Sequence, residues 1–285
     1  MIAALAVLAL STINPVAESV PEPEPLTIGE SFTMTALDAE RRVNVILPPD
    51  YDEKPDETWP IIVQLDGGAK QDLYLGNGIE KWNRLWGRSR SAIVVGIETV
   101  DRQRELLPPT TVEGERETYP TAGESAGFRR WLADTVMPLV EARYRHDGTA
   151  VLVGESAAGH FVMETWLAEP ALFEGYAAIS PSLQWNAQSL ALGAGDGLAD
   201  RPPLYLSLAD EGGDTEKGMM RLLAKIDPAQ AFCFSDRRAD LHHANSLHGL
   251  LPEALQFLLP TEADWLGDYG LELRCDRGGP EKAGQ

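Results

Sequence analysis

Residues 154–159 read Gly154-Glu155-Ser156-Ala157-Ala158-Gly159, between an apolar run at 150–153 and a helix-like segment at 161–167. That is a strand, a tight turn and a helix, with a serine at the apex. A serine hydroxyl is a weak nucleophile at its free pKa. It becomes a useful one when a sharp turn exposes it, a base stands beside it and backbone N–H groups receive the oxyanion. The flanking glycines let strand and helix approach closely. The same six letters also suit a plain strand–helix connection, so the flanking chain has to decide.

Upstream, short apolar runs at 60–65 and 92–97 have the length and composition of buried strands, and 43–47 reads as another, followed by a turn at Pro48-Pro49-Asp50-Tyr51. Phe128, Leu132, Val136, Leu139 and Val140 recur near the helical period and predict a long amphipathic helix over 128–143. Downstream, 176–179 and 204–208 read as strands, and 219–226 and 250–259 as helices. Buried strands alternating with amphipathic helices imply an α/β fold with a mostly parallel sheet covered on both faces. Two stretches, 69–90 and 101–127, show no period and are read as loops beyond strand ends, where open α/β sheets hold their ligands. Trp82 and Trp86 in the first either line an acyl or aryl pocket or simply pack the loop onto the body.

The chain has 285 residues, enough for one large domain, and 44% hydrophobic residues, enough to fill its core. A net charge of −20 argues against nucleic acid as partner and against steering of anionic substrates. Residues 1–10 form a short apolar segment without a basic start, which reads as a signal peptide over 1–17, with a lipid anchor as the alternative. A Pro/Glu-rich linker follows at 18–28, then the main domain over 29–262 and a C-terminal tail over 263–285. The expected location is therefore periplasmic or secreted. Cys233 and Cys275 either pair, if the protein is exported, or are buried thiols. There is no His-x-x-x-His, Cys-x-x-Cys or calcium-loop spacing and no nucleotide fingerprint, so neither metal nor cofactor is implied.

A nucleophilic Ser156 needs a histidine. His146 precedes the serine strand, and His160 lies one turn past the serine on its helix. His242, His243 and His248 cluster before the last helix and remain as candidates. Asp210 and Glu211 follow the 204–208 strand where an acid belongs, with Asp240 as a further carboxylate near the histidines. The N–H of Ala157 would supply one half of an oxyanion hole, and Gly68, with Gly67 as neighbour, the other half.

Several segments in order resemble one family. Arg41-Arg42-Val43-Asn44-Val45-Ile46-Leu47-Pro48-Pro49-Asp50-Tyr51 is similar to its opening strand, 60–67 to its "P-V-x-Y-x-L-D-G" strand, and Val95-Gly96-Ile97 with Asp101-Arg102 to "V-G-I-x-x-x-D-R". The segment 128–145 resembles a helix ending "P-x-I-x-x-x-Y-R", and 178–183 with Trp185 resembles "A-I-S-P-S-L-x-W". Over about residues 30–260 the chain thus resembles the serine esterases of the α/β-hydrolase fold, the group of esterase-D-like and enterochelin-esterase-like proteins. The 180s motif is nearest the siderophore-esterase-like branch. One departure is Ala158-Gly159 where the family carries Gly-Gly.

The resemblance implies an α/β-hydrolase with a Ser-His-acid triad and a small-molecule ester as substrate. It places the histidine about twelve residues before the leucine of the last helix; Leu255 then selects His243, with His248 second and His242 third. The family's Gly-x-x-Glu arrangement favours Glu211 over Asp210. Within the fold, a siderophore lactone esterase and an acyltransferase are alternatives, and a catalytically inactive binding module is the alternative of another class. Oligomeric state is left open.

Overall fold

In the computed structural model, residues 22–279 are described. Residues 1–17 and part of the expected linker lie outside them; the remaining linker residues, 22–28, are exposed and without regular structure. Nine strands form one sheet: β1 (Glu30–Ala36), β2 (Ala39–Ile46), β3 (Trp59–Leu65), β4 (Ile93–Ile97), β5 (His146–Glu155), β6 (Gly175–Ile179), β7 (Leu204–Leu208), β8 (Phe232–Asp236) and β9 (Arg277–Gly278). Their spatial order is β1-β2-β4-β3-β5-β6-β7-β8-β9. β1, β2 and β9 run antiparallel to their neighbours, and the six strands between are parallel.

The helices are α1 (Leu73–Trp86), α2 (Arg102–Leu106), α3 (Glu113–Thr118), α4 (Ser125–Trp131), α5 (Met137–Arg143), α6 (Ala157–Ala168), α7 (Trp185–Gly193), α8 (Gly213–Leu223) and α9 (Ser246–Leu258). Side chains alternate across each strand, so neighbours feed opposite cores. Ile61, Val63, Leu152 and Leu206 pack with Phe128, Phe161, Trp166 and Met219 on one face. Ile62, Val151, Val153 and Tyr205 pack with Leu250, Leu251 and Leu255 of α9 on the other. The sheet is therefore covered on both sides, as the apolar runs predict.

Four expectations need correction, the first being 101–127, read as a loop, which holds α2, α3 and the start of α4, helices too short to show a period. The stretch 69–90 is not a loop: fourteen of its residues form α1, whose buried face is Leu73, Gly76, Glu80 and Asn83. Three of those four are glycine or polar, while Tyr74, Leu75, Trp82, Leu85 and Trp86 are exposed. A search for an apolar stripe at helical period fails on such a helix, because its pattern is inverted. The helix expected over 128–143 is real but composite, since a π turn at Leu132–Val136 separates α4 from α5. Pro138, at the start of α5, has no N–H for an α-type bond to the preceding turn, and the π turn absorbs the mismatch. The segment 263–285 is not only a tail. Its residues Arg277–Gly278 extend the sheet against β8, and Cys275 is disulfide-bonded to Cys233 on β8.

Chain direction along the sheet reverses at one place. From β3 the chain moves outward to β4, then returns to lay β5 on the other side of β3. Loops leaving the carboxyl ends of β3 and β5 diverge there and open a crevice.

Candidate active site

The crevice holds a cavity of about 370 Å³ lined by Asp66, Gln71 and Asp72 after β3, Arg102 after β4, Glu155 and Ser156 at the end of β5, and His243 after β8. Ser156 stands at φ 62°, ψ −119°, a conformation costly for a residue with a side chain. Its surroundings enforce it. A Cβ on Gly154 would run into the backbone of Ala158, and one on Gly159 would press on Ile179 O and Pro181. Strand and helix therefore close as tightly as the glycines allow. Ala158, the departure from Gly-Gly, is buried, and its methyl occupies the space that Gly154 leaves free. The Ser156 N–H donates to Ile179 O at 3.0 Å, and its carbonyl accepts from His160 and from Ser182. The elbow is thus pinned to β6 and to the 180s segment.

His243 begins a short 3₁₀ turn that runs directly into α9. Its Nδ1 is 2.6 Å from Glu211 Oε1, and its Nε2 is 4.0 Å from Glu155 Oε1. The hydrogen bond to Glu211 raises the histidine's pKa; burial opposes this, and the Glu155 charge adds to it. Burial pushes Glu211 up, but hydrogen bonds from His243 and Ser180 outweigh it and hold the carboxylate below its ordinary range. Both shifts favour the charged, hydrogen-bonded pair.

The other histidines are elsewhere. His242 is exposed, 3.5 Å from Asp210. His248 lies on α9 and lines a separate groove. His160 is buried, with Nδ1 against Ser182 O at 2.9 Å, and burial lowers its pKa. His146 Nδ1 accepts from the Gly148 N–H. Asp240 pairs with Arg237. Of the sequence candidates, the structure brings Ser156 and His243 to one cavity and Glu211 to the far side of His243. Trp82 and Trp86 do not line that cavity: Trp82 belongs to the groove between α1 and α9, and Trp86 packs on Tyr269.

The oxyanion side is less simple. Ala157 is the first residue of α6, so its N–H has no intrahelical partner. The Gly68 N–H donates to Gln71 Oε1 at 3.0 Å, and Gln71 Nε2 in turn donates to the Thr99 carbonyl and hydroxyl. Gln71 therefore covers the second expected donor. The sequence reading missed Gln71, and also Asp66, Arg102 and Glu155. Arg102 bridges Asp66 Oδ2 at 2.8 Å and the Glu155 carbonyl at 3.1 Å, tying the β3 loop to the residue before the serine. Glu155 accepts from Ser246 Oγ at 2.7 Å; burial raises its pKa, with Ser246 and His243 opposing. Burial, then the Asp66 charge, raises Asp72, against Arg102. Among the described residues no group of three His, Cys, Asp or Glu side chains is placed to hold a metal ion.

Fold and site together define an α/β-hydrolase with a serine on its elbow. The family described as "Putative esterase" matches residues 34–211, more than half of the chain, and the chain belongs to that family. The ferri-bacillibactin esterase BesA of Bacillus subtilis (strain 168) is 27% identical over 172 residues, 54% of this chain and 58% of that protein. The chain thus matches little more than half the length of that relative. Among solved structures, the BES protein of Bacillus cereus superposes with a TM-score of 0.69 at 19% identity, covering 85% of this chain and all of that one. The siderophore hydrolase EstB of Aspergillus nidulans gives 0.69 at 20%, covering 84% and 97%. At such identities these two attest the fold.

Proposed function

We propose that the protein is a serine hydrolase of carboxylic esters, working through Ser156, His243 and Glu211. The observation that carries this reading is the 2.6 Å contact of His243 Nδ1 with Glu211, on a histidine that shares the cavity with a serine held at φ 62°. Glu211 keeps the proton on Nδ1 and leaves Nε2 as the base. Ser156 Oγ is 3.4 Å from Ser182 Oγ and turns from it toward His243 to react. It attacks the ester carbonyl as Nε2 takes its proton, and the imidazolium then protonates the leaving alcohol. Water repeats the sequence on the acyl-enzyme. Ala157 N–H receives the oxyanion. Gly68 N–H joins it once the Gln71 carbonyl yields.

The test is hydrolysis of p-nitrophenyl esters by the wild type and Ser156→Ala, together with labelling by a fluorophosphonate probe. Ser156-dependent turnover with one covalent adduct on Ser156 is the expected result. Turnover that survives the substitution overturns the assignment.

The substrates named for BesA and EstB favour one particular ester, a siderophore, as a second reading. Against a strongly anionic ferric complex stand the acidic cavity, where Asp66, Asp72 and Glu155 face one Arg102, and the net charge of −20. Comparing a siderophore ester with and without iron discriminates: a cavity of this charge favours the iron-free form.

We also propose export. The Cys233–Cys275 disulfide supports it, because such bonds persist in oxidising compartments. Intact mass of material from the native host, lacking residues 1–17 and free of alkylatable thiol, is the expected result; a full-length chain with two thiols contradicts it.

A further inference from the structure

The inverted helix α1 leaves an apolar groove that no step above uses. It holds about 380 Å³ between α1 and α9, with Tyr74, Leu75, Ile79 and Trp82 on one wall and His248 and Pro252 on the other. The two segments that wall the serine cavity continue as the walls of this groove. Gln71 and Asp72 lead into the first turn of α1, and His243 into the first turn of α9. Asp72, Leu75, Ile79 and Trp82 recur at three- and four-residue steps, so they form one stripe along the helix. Ten residues of helix, from Asp72 to Trp82, span about 15 Å. The groove thus leads away from the reacting centre for the length of a ring or a medium alkyl chain.

Two glycines of α1 sharpen the point. Gly76 faces the sheet, where a Cβ would collide with Gln64, so packing demands it. Gly78 lines the groove, and a Cβ there would meet nothing. A glycine in a helix interior costs about 1 kcal/mol relative to alanine. Nothing in the fold asks for that cost at Gly78, but an open groove floor, where a ligand lies against the backbone, does.

We propose that this groove is a substrate subsite, which takes an apolar aryl or alkyl group of the ester while the carbonyl lies at Ser156. The proposal rests on the esterase reading. It divides substrate recognition in two: a polar, acid-lined cavity around the reacting bond and an apolar channel beside it. Burial of a ring or several methylenes there discriminates by about 10- to 200-fold.

Three esters test it by titration of released acid: methyl acetate as the small reference, methyl octanoate with an apolar acyl part, and phenyl acetate with an apolar alcohol part. Gly78→Leu projects a side chain into the groove from a position where a Cβ meets nothing, and Trp82→Ala removes part of one wall. In both variants kcat/KM for methyl octanoate or phenyl acetate is expected to fall at least about tenfold while methyl acetate stays within about twofold. An unchanged ratio in Gly78→Leu overturns the subsite. So does an unchanged ratio accompanied by a change in molecular mass by light scattering, which would make the face a contact between copies. If the wild type hydrolyses none of the three, the esterase reading fails by itself. The groove is then judged by titrating folded Ser156→Ala with phenyl acetate and following tryptophan fluorescence. Saturable change that Gly78→Leu abolishes supports it, and absence of change overturns it.

Discussion

The Ser156 elbow and helix α1 flank the same cavity and are built on opposite rules. At the elbow, the strand is apolar, the helix that follows is buried along most of its length, and glycines sit where backbones meet. In α1 the residues turned to the protein are Leu73, Gly76, Glu80 and Asn83, and those turned to solvent include two tryptophans. Most of the inward polar atoms are partnered, Asn83 Oδ1 being the exception. Glu80 Oε1 accepts from Ala92 N–H at 3.0 Å and Ser91 Oγ at 3.2 Å, and Asn83 Nδ2 donates to Pro252 O at 3.0 Å. A helix can thus be docked by satisfying its neighbours' backbone groups, which frees its apolar residues for something else. The elbow lies among apolar side chains with backbones in close contact, whereas α1 adds hydrogen bonds from inward polar side chains to the apolar contacts of Leu73 and Ile79.

The largest expected effects lie at the elbow. Ser156→Ala should cost on the order of 10⁴ to 10⁶ in kcat with the fold intact by circular dichroism, and His243→Ala about as much. The double variant should be little worse than either single one, because serine and base act as a unit. Additive losses would separate the two residues and break the triad. Glu211→Gln should cost on the order of 10⁴. It also has a signature in pH. The catalytic base must be neutral, and Glu211 raises the His243 pKa above its ordinary 6.5. The acid limb of kcat/KM should therefore fall at a pH above 6.5 in the wild type and move lower in Glu211→Gln. A limb that does not move would mean that Glu211 is not the partner of the base in solution.

Smaller effects belong to α1 and are read as stability. Asn83→Ala removes the buried hydrogen bonds of Nδ2 to the Pro252 carbonyl and the Ser89 hydroxyl and should lower unfolding free energy by about 1–3 kcal/mol in urea titration. Apolar packing alone would predict a near-neutral change. The two glycines should part in sign. Gly76→Ala forces Gln64 from its 2.7 Å bond to Asp72 O and should destabilise, whereas Gly78→Ala should stabilise by about 1 kcal/mol. Equal effects at both positions would erase the distinction between a glycine that packing requires and one that it does not.

Much of the molecule is determined by the sequence directly. The runs at 60–65, 93–97, 150–153, 176–179 and 204–208 lie in parallel strands, because a strand buried on both faces is apolar along most of its length. The elbow at Ser156 is legible because a strand end, a turn and a helix start form one local pattern, whereas the residues alone leave three histidines and three acids open and only the family resemblance singles out His243 and Glu211. Helix α1 was illegible for the complementary reason: its inward residues pay their desolvation through partners at Ala92 and Pro252, which are distant in sequence. The strands β1, β8 and β9 were missed as well; β1 and β9 are edge strands, only partly buried or exposed, and carry no continuous apolar run. The cavity itself, with Asp66, Gln71, Arg102 and Glu155 around the serine, exists only where the loops from β3, β4, β5 and β8 converge. Whether the Gly68 N–H is free or covered by Gln71, and whether Cys233 meets Cys275, depends on distances across the fold. Sequence spacing carries no information about them, since they are set by how the sheet brings remote loops together.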